Sequence, residues 1–97
     1  KFLGLTSITI PASVTSIGNQ AFDGCNISSV TIDSSYAYQN AGGSSNTCGY
    51  LLRNPDTVYV KANLVEDTSL TASSYLTSNF TRSQSANENG YYVYTRN

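Results

Sequence analysis

A phrase recurs in this chain. "TSITI" at residues 6–10 returns as "SSVTI" at residues 28–32. Leu5, Ile8 and Ile10 fall on Ile27, Val30 and Ile32, each pair 22 residues apart. The alternation comes back in "TVYV" at 57–60, where Val58 and Val60 follow Val30 and Ile32 by 28 residues. Cys25 and Cys48 keep a similar interval of 23. A sequence repeating at this kind of period is built from supersecondary units that cannot bury their apolar sides alone, so each unit stacks on the next.

The physics of one unit follows from its residues. "SITI" alternates polar and β-branched side chains, which fits a short strand with Ile8 and Ile10 on one face and Ser7 and Thr9 on the other. Pro11 ends that strand. Val14 and Ile17 point back inside, and Gly18-Asn19 marks a turn. "NQAFDGC" predicts a single helical turn with Ala21, Phe22 and Cys25 facing inward. Gly24 permits the tight return to the next strand. Stacked units then pair their strands in parallel.

The stretch "LTSITIPASVTSIGNQAFDGC" resembles the BspA-type leucine-rich repeat of bacterial and protozoan surface proteins. Residues Leu5 to Cys25 match the pattern L-x-x-I-x-I-P-x-x-V-x-x-I-G-x-x-A-F-x-x-C at every stated position. The match is strong over residues 1–32 and weak over 33–61, where Tyr36 and Tyr38 stand roughly where Val14 and Ile17 would recur. It does not reach residues 62–97. The implied fold is an α/β, β-rich leucine-rich-repeat solenoid with short parallel strands and single-turn helices. Residues 1–61 form the solenoid turns and residues 62–97 a C-terminal cap, since a terminal unit must present a polar outer face. "KFLGLTS" begins in mid-rhythm, and no long apolar core follows Lys1, so the chain reads as a trimmed piece of a longer protein without a signal peptide at this end.

Beyond the third strand the signals are local. "NAGGSSNTCG" (40–49) reads as a loop and "RNPDT" (53–57) as a turn. "LTASSYLTSNF" (70–80) predicts a short helix with Leu70, Ser74 and Thr77 on one stripe and Ser73 or Ser74 as its cap. "SQSANENG" (83–90) is a polar loop. "YYVYT" (91–95) is a strand with Tyr92 and Tyr94 on one face.

Composition excludes several functions. Net charge is −1 with only 11% charged residues, so there is no basic face for nucleic acid. No apolar run is long enough to span a bilayer, so no membrane insertion is expected in this segment. Histidine is absent, which removes the commonest general base. The carboxylates are scattered, although Asp33 after the second strand and Asp56 before the third are read as neighbours on one rim. No serine has a nucleophile context, and two cysteines without histidine are too few soft ligands for zinc. No catalytic residue, metal site or cofactor is expected. Two sequons, at Asn26 and Asn79, are short enough to arise by chance in a Ser/Thr-rich chain.

Cys25 and Cys48 admit two readings. If they occupy equivalent places in successive coils, strand spacing of about 4.8 Å allows a disulfide. The resemblance implies an inward core position, which favours two buried free thiols, while an extracellular location favours the bridge.

The candidate ligand-binding residues lie on the outward strand face: Ser7, Thr9, Ser29, Thr31, Thr57, Tyr59 and Lys61. In repeat proteins such a face is the usual platform for a partner. The competing reading is that threonine simply suits exposed strand positions. The resemblance implies a non-catalytic binding and adhesion module of a cell-surface or secreted protein, with a host or neighbouring-cell protein as partner. The alternatives are a structural spacer, a carbohydrate-binding module that uses Tyr36, Tyr38, Tyr50, Tyr91, Tyr92 and Tyr94, and, more distantly, an accessory domain of an enzyme.

Overall fold

Three short β-branched runs become three neighbouring strands. In the computed structural model, which describes residues 6–97, they are β1 (Thr6–Ile10), β2 (Ile27–Ile32) and β3 (Thr57–Lys61). Leu5, the first position of the repeat, lies outside the described residues. The pairs β1–β2 and β2–β3 are parallel, with Ile8 level with Val30 and Val30 level with Val58. The 22- and 28-residue spacings are therefore strand registers. The other elements are α1 (Ser35–Asn40), α2 (Ala62–Val65), α3 (Ser74–Asn79), β4 (Phe80–Arg82) and β5 (Tyr91–Arg96). A single open, five-stranded sheet runs β1-β2-β3-β5-β4, and its last two pairings, β3–β5 and β5–β4, are antiparallel. The architecture is mixed α/β and strand-rich.

One face of the sheet makes the core. Val30, Ile32, Val58 and Val60 have no exposed surface, and Leu51, Leu52 and Leu76 close over them with none either. Burying each such side chain contributes roughly 1.5–3 kcal/mol. Backbone hydrogen bonds continue between neighbouring segments beyond the strands: the Asp33 amide donates to the Ile10 carbonyl (2.9 Å) and the Asp56 amide to the Ser28 carbonyl (3.3 Å).

Several local expectations need correction. "NQAFDGC" does not form a helical turn; residues 19–24 are successive turns, and Ala21 is exposed rather than inward. Cys25 is buried, while Val14, Ile17 and Phe22 are half-buried against the core. A helix appears instead at residues 35–40, where none was expected. Ser34 caps it: its oxygen accepts from the Ala37 amide (3.2 Å) while its hydroxyl donates to the Val14 carbonyl in the segment between β1 and β2 (2.7 Å). Such a cap contributes about 1 kcal/mol, and this one also ties the helix to that segment. The helix buries Ala37 and Tyr38, leaving Tyr36 half-buried.

The glycine-rich stretch is a loop, but a packed one. Ala41 and Cys48 are buried within it, and the buried Leu51 stands two residues beyond it. Cys48, Gly49 and Tyr50 take consecutive left-handed conformations, with φ of 62°, 61° and 70°. Each non-glycine residue in that region costs of order 1 kcal/mol. The turn lets the Gly49 carbonyl accept from the Phe22 amide (3.0 Å), and a side chain at 49 would run into the Ala21 backbone. The next helix, α3, is capped by Ser73, whose hydroxyl oxygen accepts from the Leu76 amide (3.1 Å). Its inward stripe is Ser73, Leu76 and Phe80; of the stripe expected from the sequence, Ser74 and Thr77 are exposed and Leu70 is half-buried. The apolar residues Leu76 and Phe80, one helical turn apart, set the rotation.

Candidate functional site

The strand registers place the candidate residues on one surface. A row of hydroxyls crosses the whole sheet: Ser7, Ser29, Thr57, Thr95 and Thr81 stand level on successive strands. The Ser7 and Ser29 hydroxyls bond to each other at 2.9 Å. A second row carries Thr9, Thr31, Tyr59 and Val93, and Lys61 stands level with Tyr91 beyond it. Ser7, Thr9 and Lys61 are exposed; Ser29, Thr31, Thr57 and Tyr59 are half-buried. All seven residues thus share one face. Thr95, Thr81, Val93 and Tyr91 extend it, because β5 and β4 continue the same sheet. The polar alternation of "YYVYT" carried that signal only once its pairing with β3 was known.

The face is not uniform along the strands. At the C-terminal ends of β2 and β3 the turn at residues 86–90 rises over it. Asn87 builds that turn: its Oδ1 accepts from the amides of Asn89 and Tyr91, each at 3.0 Å. Its own amide donates to the Tyr91 carbonyl (2.7 Å), and its carbonyl accepts from the Gly90 amide (3.0 Å). Gly90 takes φ of +87°, and its carbonyl accepts from Ala62 at the end of β3 (2.9 Å). Between turn and sheet lies a pocket of about 350 Å³ lined by Thr31, Tyr59, Asn87, Asn89 and Tyr91. The Tyr91 hydroxyl donates to Asp33 (2.7 Å), and this bond to a carboxylate raises the tyrosine's pKa above its ordinary value.

Asp33 and Asp56 are not rim neighbours. Because β2 and β3 are parallel, the residue after one strand and the residue before the other lie at opposite ends of the sheet. Asp33 meets Tyr91 at one end. At the other, Asp56 stands 3.8 Å from Arg96 and is largely exposed. Among the described residues no cluster of metal-ligating side chains occurs, and no helix is long and apolar enough to cross a membrane.

The six tyrosines named as a stacking surface are dispersed. Tyr38 and Tyr94 are core residues, Tyr36 and Tyr92 pack against the core, and Tyr50 lies under the Arg53 guanidinium (5.3 Å). Burial, with Tyr38 beside it, raises the Tyr94 pKa strongly. The Tyr92 hydroxyl donates to Glu66 (2.8 Å). Of the six, Tyr91 shares the outward face with Tyr59.

Cys25 and Cys48 are free and buried. The Asn54 side chain donates to the Cys25 carbonyl (3.3 Å). Cys48 sits six residues before Asn54, in the left-handed turn. Burial pushes its thiol up to about 11, so it stays protonated at neutral pH and is a poor nucleophile. Native protein at pH 7.5 is expected to react with a thiol-specific aromatic disulfide reagent at least about tenfold more slowly than denatured protein, because reaction awaits opening of the core. Equal rates in the two states would contradict the burial.

The family model described as "BspA type Leucine rich repeat region (6 copies)" matches residues 1–86, which carries the likeness past residue 61, the limit expected from the repeat pattern, and into residues 62–86. No curated protein matches the chain, and no solved structure does.

Proposed function

The chain belongs to the BspA-type leucine-rich repeat family, and on that premise we propose that it is a non-catalytic protein-binding and adhesion module whose outward sheet face makes the contact. Repeats of this family suggest protein interaction, and the family's association with bacterial surface proteins supports an extracellular or cell-surface setting. The observation that carries the reading is the alignment of Ser7, Thr9, Ser29, Thr31, Thr57, Tyr59 and Lys61 on one continuous face. A regular polar face with an aromatic residue at its centre suits a protein partner, since tyrosine supplies contact area at interfaces and hydroxyls supply hydrogen bonds around it.

In this proposal residues 1–61 are solenoid turns and residues 62–97 are the cap. Two features support that division. β5 runs antiparallel to β3, which ends the parallel progression. β4, the outer edge, is three residues long and carries Arg82, and short charged edges discourage further strand addition. The spacer reading would require a face with no distinguishable patch. Tyr59 and the pocket beside it favour the binding module.

The test is a binding screen against purified matrix and cell-surface proteins, with Tyr59→Ala as the paired variant. At least one partner is expected to bind, and the variant to bind it roughly tenfold more weakly. A variant that binds every hit as well as the parent would overturn the sheet-face assignment.

A further inference from the structure

We propose that the pocket between the 86–90 turn and the sheet is a binding site for an uncharged sugar, such as the terminal hexose of a glycan. Its five lining residues, Thr31, Tyr59, Asn87, Asn89 and Tyr91, are all polar or aromatic, and none is an aspartate, glutamate, lysine, arginine or histidine. Lys61 and Asp33 flank it with opposite charges, one level with Tyr91 and the other bonded to its hydroxyl. A charged ligand therefore finds no ionic partner in the lining. A neutral ligand rich in hydroxyls and C–H faces finds amides to bond and rings to lie against.

The site is held in place before any ligand arrives. Asn87 Oδ1 is committed to two backbone amides, which fixes its side-chain nitrogen as a donor. The Asp33 bond fixes the Tyr91 ring. By contrast, the Thr31 and Tyr59 hydroxyls and the Asn89 side-chain amide make no hydrogen bond to another protein group among the described residues. The pocket thus presents unspent donors and acceptors around two aromatic rings, and its volume of about 350 Å³ falls in the range of small-ligand sites. Preorganised groups lose little freedom on binding, which is what a small ligand with few contacts needs.

The site shares Thr31 and Tyr59 with the proposed protein-binding face, so its principal test variant is at Asn89, which lies off the strands. The ¹⁵N-labelled protein is titrated separately with glucose, galactose, mannose and N-acetylglucosamine, with glucuronate and a neutral tetrapeptide as comparisons. At least one neutral sugar is expected to give saturable amide shifts confined to Thr31, Tyr59 and residues 87–91. Asn89→Ala, a change at an exposed turn position, is expected to weaken that binding about tenfold, the loss of roughly one good hydrogen bond pair. Tyr91→Phe, which keeps the ring, serves as the second variant and is expected to weaken it less. The well-dispersed amide spectrum of each variant reports that it is folded. The proposal is overturned if no neutral sugar moves these amides, if glucuronate binds as well as the neutral sugars, if the peptide alone produces the shifts, or if Asn89→Ala binds unchanged. Loss of sugar binding in Asn89→Ala with protein binding intact would separate this site from the protein-binding face.

Discussion

Arg96→Ala is expected to lower the unfolding free energy by about 3 kcal/mol, a drop in melting temperature of roughly 12–24 °C for a domain of this size. The arginine stands at the end of β5 with its guanidinium turned into the loop that precedes β3. Its Nη2 donates to the carbonyls of Leu52 (2.7 Å), Arg53 (3.2 Å) and Pro55 (2.8 Å), and its Nε donates to Pro55 as well (3.0 Å). Nη1 donates to the Tyr75 hydroxyl (3.3 Å), and the plane sits 4.6 Å from the Phe80 ring centroid. Removing it leaves several half-buried carbonyls without donors and opens the contact between β5, α3 and the loop. Arg96→Lys is expected to recover little, because one ammonium cannot reach that fan of acceptors. Asp56→Ala is expected to change stability by less than about 0.5 kcal/mol, since this carboxylate is largely exposed and 3.8 Å away. Chemical denaturation of the three variants distinguishes the roles. Equal losses for Asp56→Ala and Arg96→Ala would place the stabilisation in the ion pair instead of the carbonyl cluster.

Ile32→Ala is expected to cost about 3–4 kcal/mol, the range for a fully buried aliphatic residue truncated in a packed core. Ile32 has no exposed surface and lies between Ile10 on β1 and Val60 on β3. One side chain therefore serves both parallel strand junctions. The adjacent Thr31→Ala, on the outward face, is expected to cost less than about 1 kcal/mol. Denaturant midpoints at unchanged slope would confirm that both report stability. A loss at Thr31 as large as that at Ile32 would mean that the two faces of β2 are assigned the wrong way round.

The difference between Ile32 and Thr31 is legible in the sequence. Period-two alternation of β-branched residues fixes which face is buried, and a constant spacing fixes register, because a one-residue slip would turn every side chain over. The chain between strands is less legible. Residues 35–40 carry no apolar period, and their helix depends on Ser34, whose partner Val14 is 20 residues away. Residues 19–24 have the composition of a helical turn but are drawn into turns, where the Phe22 amide meets the Gly49 carbonyl. Of the left-handed run Cys48-Gly49-Tyr50, only Gly49 favours that region by its residue type, so the sequence signals one of the three positions and not the run. In α3 the expected stripe is rotated, since Leu76 and Phe80 outweigh the weaker demands of Ser74 and Thr77.

The candidate site divides in the same way. Its seven strand residues follow from alternation alone. Asn87 and Asn89 read only as a polar loop, because nothing local says that the loop folds back over Tyr59. Tyr91 joins the face through an antiparallel pairing with β3 that spans 30 residues of chain. Arg96, the residue with the largest predicted effect outside the core, is equally silent, since its carbonyl acceptors lie more than 40 residues earlier.

The register of the first three strands underlies the core, the outward face and the pocket alike, and methyl-resolved nuclear Overhauser spectroscopy reads it directly. Close contacts are expected between the methyl groups of Ile8 and Val30 and between those of Val30 and Val58. The backbone contacts should be parallel in type for β1–β2 and β2–β3 and antiparallel for β3–β5. Val30 methyls near neither partner, or antiparallel backbone contacts between residues 27–32 and 57–61, would contradict it.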